Sequence, residues 1–86
     1  MFRVELSREA QRFYERCDKV VSKKLSRCFA ALERDPRIGN NVRALTGRFA
    51  GSYRYRLGDL RVVYTINDRQ VTVFVITIAK RSDVYE

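Results

Sequence analysis

The chain has 86 residues, with 18 Lys plus Arg against 10 Asp plus Glu and a net charge of +8. That length fills one hydrophobic core, so a single domain over residues 1–86 is expected. The absence of His excludes Ser-His-Asp and Cys-His catalysis, His-based nucleases and mixed Cys/His zinc sites. Apolar residues make up 45% and charged residues 33%, the balance of a soluble globular domain. Of the basic residues, 14 are Arg and 4 are Lys. The planar guanidinium binds phosphate bidentately, so an anionic partner is the first expectation and a merely basic surface the alternative.

Cys17 and Cys28 cannot close a four-ligand zinc site. Both fall inside apolar helical patterns and read as buried, reduced thiols of a cytosolic protein. No metal or cofactor is called for. The first residues lack the apolar core of a signal peptide, and apolar runs such as residues 73–76 are far too short to cross a bilayer. A cytoplasmic chain with no membrane partner is expected.

In chain order, Phe2, Val4 and Leu6 alternate with Arg3 and Glu5, which is strand periodicity. Ser7 ends the strand and caps a helix with Glu9 in its first turn. Ala10, Phe13, Tyr14 and Cys17 recur at i, i+3, i+4 and i+7. Asp18 closes this helix and caps a second, whose stripe is Val21, Leu25, Cys28, Phe29 and Leu32. Between them lie Lys19, Lys23, Lys24, Arg27 and Glu33, a face that is solvated or touches an anion. Asp35-Pro36 ends the second helix, because the residue before Pro avoids the α region. Residues 37–52 have weak periodicity and read as a loop of about 15 residues, long enough to be a partner surface.

Residues 53–57 alternate strictly, Gly58-Asp59 marks a turn, and residues 60–66 form a second β run. A two-residue turn at Asn67-Asp68 or Asp68-Arg69 leads to residues 71–78, a run apolar on both faces and hence central in its sheet. The predicted order is β-α-α-β-β-β. It gives an α+β fold with two N-terminal helices packed on a four-stranded, mostly antiparallel sheet.

A two-residue turn at Gly58-Asp59 sets Leu57 opposite Leu60, Arg56 opposite Arg61, Tyr55 opposite Val62 and Arg54 opposite Val63. Tyr53, Tyr55, Leu57, Leu60, Val62 and Tyr64 then share the helix-covered face, and Arg54, Arg56 and Arg61 share the other. The last strand returns beside the middle one and carries Lys80 and Arg81 toward Arg56 and Arg61. Like charges opposite one another destabilise a sheet, so the cluster points to a phosphate site. The alternative is internal neutralisation by Asp59, Asp83 or the terminal carboxylate. On this reading Arg61→Ala costs activity and leaves folding intact. Tyr85, beside the cluster, either stacks on an RNA base or packs on the core edge.

The stretch Tyr-Arg-Tyr-Arg-Leu at 53–57, Gly-Asp-Leu-Arg-Val-Val-Tyr-Thr-Ile at 58–66, Val-Thr-Val-Phe-Val-Ile at 71–76 and Lys-Arg-Ser-Asp-Val-Tyr at 80–85 resembles the RelE/ParE toxin superfamily over the whole chain. The ending is more similar to RelE than to ParE. The resemblance implies a toxin that cleaves mRNA in the ribosomal A site, with ParE-like inhibition of DNA gyrase, or a non-catalytic nucleic-acid-binding module, as the other readings. It implies as partners a RelB-like antitoxin, the 70S ribosome and mRNA, with promoter DNA met only through the antitoxin complex. It assigns catalysis to Arg54, Arg56, Arg61, Arg81 and Tyr85. RNA or ribosome contacts are expected at Lys80, Lys19, Lys23, Lys24, Arg27, Arg43 and Arg48. The best-known RelE toxins carry Lys where this chain has Arg54 and Arg56, and the first of these Lys residues is assigned the general base. Arginine stays protonated and is a poor base, so that role does not transfer to Arg54. The segment at 81–85 is also shorter here.

Overall fold

The computed structural model of the protein describes residues 1–80. β1 (Arg3–Leu6) leads into α1 (Arg8–Arg16) and α2 (Lys19–Arg34), followed by β2 (Val42–Ala44), β3 (Ser52–Leu57), β4 (Leu60–Asn67) and β5 (Thr72–Lys80). Among the described residues no helix is long and apolar enough to cross a membrane.

Side chains at the helix starts satisfy backbone donors that would otherwise be orphaned. Ser7 Oγ accepts the Ala10 N–H at 3.0 Å, and Asp18 Oδ1 accepts the Val21 N–H at 2.9 Å. The chain becomes extended at Cys17, which ends α1. It does so again at Asp35, which ends α2 before Pro36.

The strands form one sheet in the order β1-β5-β4-β3-β2. β1 runs parallel to β5, and every other pair is antiparallel. The helices cover one face. There Ala10, Leu25, Cys28 and Leu32 meet Val62, Tyr64, Val73, Val75 and Ile78, with Tyr53, Tyr55 and Leu57 at the margin. Each fully buried aliphatic side chain contributes roughly 1.5–3 kcal/mol. Burial also pushes the Cys28 thiol up to about 12, because a thiolate there would lose its hydration.

The expected class holds, with five strands among the described residues rather than four. The stretch read as a loop contains β2 and a single 3-10 turn, Gly47–Phe49. β2 pairs Val42 with Tyr55, Arg43 with Arg54 and Ala44 with Tyr53. Its ladder is closed at the ends by Arg56 N–H to Asn41 O at 2.8 Å and Leu45 N–H to Ser52 O at 2.9 Å. Three residues are too few for strand periodicity to emerge from sequence.

The β4–β5 connection also differs. Asn67 pairs with Thr72, so residues 68–71 form the turn in place of a two-residue one. Val71 sits at φ 49°, a strained conformation for a β-branched residue. Further on, Val63 pairs with Thr77 but Tyr64 with Val75, so Ile76 bulges out of the ladder. Two contacts tie the segment after α2 to the sheet. The Tyr64 hydroxyl donates to Pro36 O at 2.7 Å. Arg37 grips Asp68 bidentately at 3.0 and 2.8 Å, which holds the Asp68 carboxyl below the usual carboxylate range.

Candidate phosphate-binding site

The β3–β4 hairpin pairs Leu57 with Leu60, Arg56 with Arg61, Tyr55 with Val62 and Arg54 with Val63. This is the register that the Gly58-Asp59 turn predicts. Gly58 takes φ 63°, as the first central residue of a primed hairpin turn must. Because Tyr55, Val62 and Tyr64 belong to the helix-covered face, period-two alternation puts Arg54, Arg56 and Arg61 on the face opposite.

Two transverse rows result. One runs Arg43, Arg54, Val63, Thr77 across β2 to β5, and the next runs Arg56, Arg61, Ala79 across β3 to β5. Directly opposed Cβ atoms in such rows lie about 4.5–5.5 Å apart. Four guanidinium-bearing residues therefore occupy adjacent places on one sheet face. β2, missed in the sequence, is the strand that brings Arg43 into line. Its only sequence signal is Val42 and Ala44 alternating with Arg43.

The four arginines are not equivalent. Arg43 and Arg56 are exposed, whereas Arg54 is 6% and Arg61 1% exposed. Arg61 Nη1 donates to Gly58 O at 3.2 Å and Leu60 O at 3.0 Å. Arg54 Nη1 donates to Asn41 O at 2.8 Å, the carbonyl that also accepts the Arg56 N–H. The buried pair are fixed charges anchored on backbone carbonyls, and the exposed pair reach solvent. These bonds argue against the expectation that Arg61→Ala leaves folding intact. Its guanidinium ties down the β3–β4 turn.

The other expected contacts separate into groups. Lys80 pairs with Leu60, so it lies on the helix side of the sheet end, and Ala79 takes the place opposite Arg61. Arg48 is exposed in the 3-10 turn, its guanidinium carbon 5.7 Å from the Phe49 ring centroid. Lys19, Lys23, Lys24 and Arg27 are exposed on α2, which packs on the sheet through Leu25, Cys28 and Leu32. They therefore line the helix layer, away from the arginine face. Arg81, Asp83 and Tyr85 lie outside the described residues.

Two helices on a mixed five-stranded sheet are the frame this chain shares with solved toxin structures. The archaeal RelE–RelB complex of Pyrococcus horikoshii matches with a TM-score of 0.81 at 24% identity, covering 96% of this chain and 98% of that one. The YoeB/ParE toxin of Agrobacterium tumefaciens gives a TM-score of 0.82 at 21% identity, covering 92% and 98%. The isolated RelE toxin of E. coli gives 0.78 at 26% identity, covering 93% and 84%. No curated protein matches the chain in sequence. Residues 4–85 match the family described as the ParE toxin of the type II toxin–antitoxin system, parDE. The chain belongs to that family and is the toxin of a toxin–antitoxin pair.

Proposed function

We propose that the protein is a ribosome-dependent endoribonuclease that cuts mRNA in the A site and arrests translation in the cytoplasm. The observation that carries this reading is the Arg56–Arg61 cross-strand pair beside the Arg43–Arg54 pair. Opposed like charges lower sheet stability, and a phosphodiester removes that repulsion.

RNA cleavage by 2′-OH attack needs a base for the hydroxyl proton, cations for the phosphorane and an acid for the 5′-oxygen. Arg54 and Arg61, fixed on carbonyls, supply preorganised positive charge that needs no rearrangement at the moment of reaction. Arg56 closes on the phosphate oxygens bidentately. Arg81 stabilises the leaving oxygen, and Tyr85 stacks on a codon base. The register turns Lys80 toward the Leu60 side, away from Arg56 and Arg61, so the base is Tyr85, Glu86 or a ribosomal RNA group. An incomplete acid–base set explains why the ribosome is needed. Arg43 and Arg48 steer the RNA, and Lys19, Lys23, Lys24 and Arg27 on the opposite layer meet ribosomal RNA. The RelB-like antitoxin neutralises the toxin, and the pair reaches promoter DNA only as the complex.

The description of the matching family favours a second reading, a ParE-like gyrase inhibitor with no chemistry of its own. One experiment separates the two. The purified chain is added to programmed ribosomes with primer extension across the codon, and in parallel to gyrase with relaxed plasmid. A-site cuts with unimpaired supercoiling support the ribonuclease. Blocked supercoiling with intact mRNA replaces it with the second reading.

A further inference from the structure

The helix-free face of the sheet carries more than arginine. β5 is an inner strand, flanked by β1 and β4, yet Phe74 on it is 41% exposed and Ile76 38%. Val73 and Val75 belong to the helix-covered core, so alternation puts Phe74 and Ile76 on the same face as Arg54, Arg56 and Arg61. We propose that Phe74 is a stacking platform for an unpaired base of a single-stranded RNA whose backbone lies across the arginine rows.

The register fixes the layout. Phe74 pairs with Glu5 on β1 and Thr65 on β4, and Thr65 pairs with Ser52 on β3. This row comes directly after the one that holds Arg43, Arg54, Val63 and Thr77. Its members toward β3 are the small Thr65 and Ser52. Toward β1, the Glu5 carboxylate is matched by Arg3 at 3.2 Å, so the acid nearest the ring has a cation of its own. From Arg56 the ring lies two strands across and four residues along, roughly 16 Å at ordinary sheet spacings. A few nucleotides of extended strand span that distance. A strand with one phosphate on the exposed Arg56 therefore carries a nearby base over Phe74.

Every base has a π-face, and an aromatic ring exposed on a sheet receives it by stacking. Bases of a duplex are stacked on one another and present no free face, so the platform selects unpaired strand. Stacking reads no hydrogen-bonding edge, so the site should prefer purines modestly, by ring size, and carry no finer sequence code. The other occupant for exposed apolar surface is a second copy of this chain. A two-fold contact through Phe74 uses the same patch on both copies. It would set the arginine rows of two chains, each of net charge +8, against each other. An RNA strand brings the opposite charge to the same face. That the strand is mRNA rests on the ribonuclease reading, whereas the platform itself needs only unpaired RNA.

The test uses the full chain and a short RNA oligonucleotide carrying 5-iodouridine, irradiated and then mapped by peptide mass spectrometry. The adduct should fall on Phe74 without any mutation. Phe74→Leu keeps an apolar side chain but has no π-face, and should bind the same RNA about tenfold more weakly, with melting confirming the fold. Phe74→Tyr should stay within about twofold of the parent. Because the ring meets no phosphate, Phe74→Leu should keep the salt slope of binding, while Arg56→Ala should flatten it. Equal affinity of Phe74→Leu and parent overturns the proposal, as does an adduct that misses Phe74 or a parent that binds no RNA. A parent dimer that Phe74→Leu dissociates, with RNA affinity kept, overturns it in favour of a second copy. Programmed ribosomes judge the other reading separately. RNA binding through Phe74 without mRNA cleavage keeps the platform and removes the ribonuclease. Cleavage by the parent with equal RNA affinity in Phe74→Leu keeps the ribonuclease and removes the platform.

Discussion

Alanine at three neighbouring positions separates site from scaffold. Arg56 is exposed and faces Arg61 across the hairpin. Its removal relieves a like-charge pair and leaves stability within about 0.5 kcal/mol. Cleavage should fall by two to three decades, roughly 3 kcal/mol of lost phosphorane stabilisation. Val62 is fully buried and lies on the helix side, so Val62→Ala loses about 1–3 kcal/mol through a cavity. The folded fraction should still cut at the parent rate. Arg61→Ala does both. Its guanidinium is nearly inaccessible and donates to two carbonyls. Hydrogen bonds from a charged donor are worth roughly 1.5–3 kcal/mol, and the carbonyls are left short of a donor. At about 4–8 °C per kcal/mol for a domain of this size, the melting point should fall by about 10–20 °C. Melts by circular dichroism and single-turnover cleavage on programmed ribosomes, run at a temperature where every variant is folded, decide the matter. Full cleavage by Arg56→Ala would refute the arginine-face mechanism. A parent-like melt of Arg61→Ala would refute the anchoring role assigned to its carbonyl contacts.

Other expectations follow from the same contacts. Tyr64→Phe removes the 2.7 Å bond to Pro36 O and should cost about 1–2 kcal/mol in urea unfolding, since the buried carbonyl loses its donor. Val71→Gly relieves a side chain held at φ 49°. A strain of about 1–3 kcal/mol exceeds the roughly 0.5–1 kcal/mol of added unfolded-chain freedom, so the melting point should rise. Asp68 has its folded pKa lowered by Arg37. Its stabilising contribution is therefore present above the unfolded carboxylate value, about 3.9, and is lost as pH falls through the lower folded one. Arg37→Ala should lower stability at pH 7 and flatten the acid limb of a stability–pH curve below pH about 4. An unchanged acid limb would show that the exposed pair is screened.

What the sequence revealed followed from strong, redundant patterns. The α1 and α2 stripes each repeat over several turns and have a capping side chain, so Ser7 and Asp18 both fall where expected. The β3–β4 register followed from one turn, because a two-residue connection leaves a single pairing and period two then assigns every side chain to a face. What was not legible depended on few residues or on distant ones. β2 has three residues and is held by β3. The four-residue turn needs Val71 in a conformation that Val disfavours, and it is held there by closure of the β4–β5 ladder and by the Val71 N–H to Asp68 O bond. The Ile76 bulge then shifts the register, so Ala79 lies on the arginine face and Lys80, expected to run toward Arg56 and Arg61, lies on the other. Alternation placed Arg61 on the open face correctly. Its burial depends on how the side chain folds back onto Gly58 and Leu60, which alternation does not encode.

That fold-back bears on why Arg, rather than Lys, occupies these strand positions. Lysine carries its three N–H donors on one nitrogen, so bonds to two carbonyls leave a single donor at the same point. A guanidinium has five N–H donors in a rigid plane. Arg61 spends Nη1 on two carbonyls and keeps its charge buried on the arginine side of the sheet, beside the exposed Arg56. Arg54 does the same on Asn41 O, and through that carbonyl it touches the backbone bond that joins β2 to β3. Anchoring costs mobility, and mobility is what a lysine base would need. These strand positions thus carry fixed positive charge rather than a titrating group, and on the proposed ribonuclease reading proton transfer comes from beyond Arg54, Arg56 and Arg61.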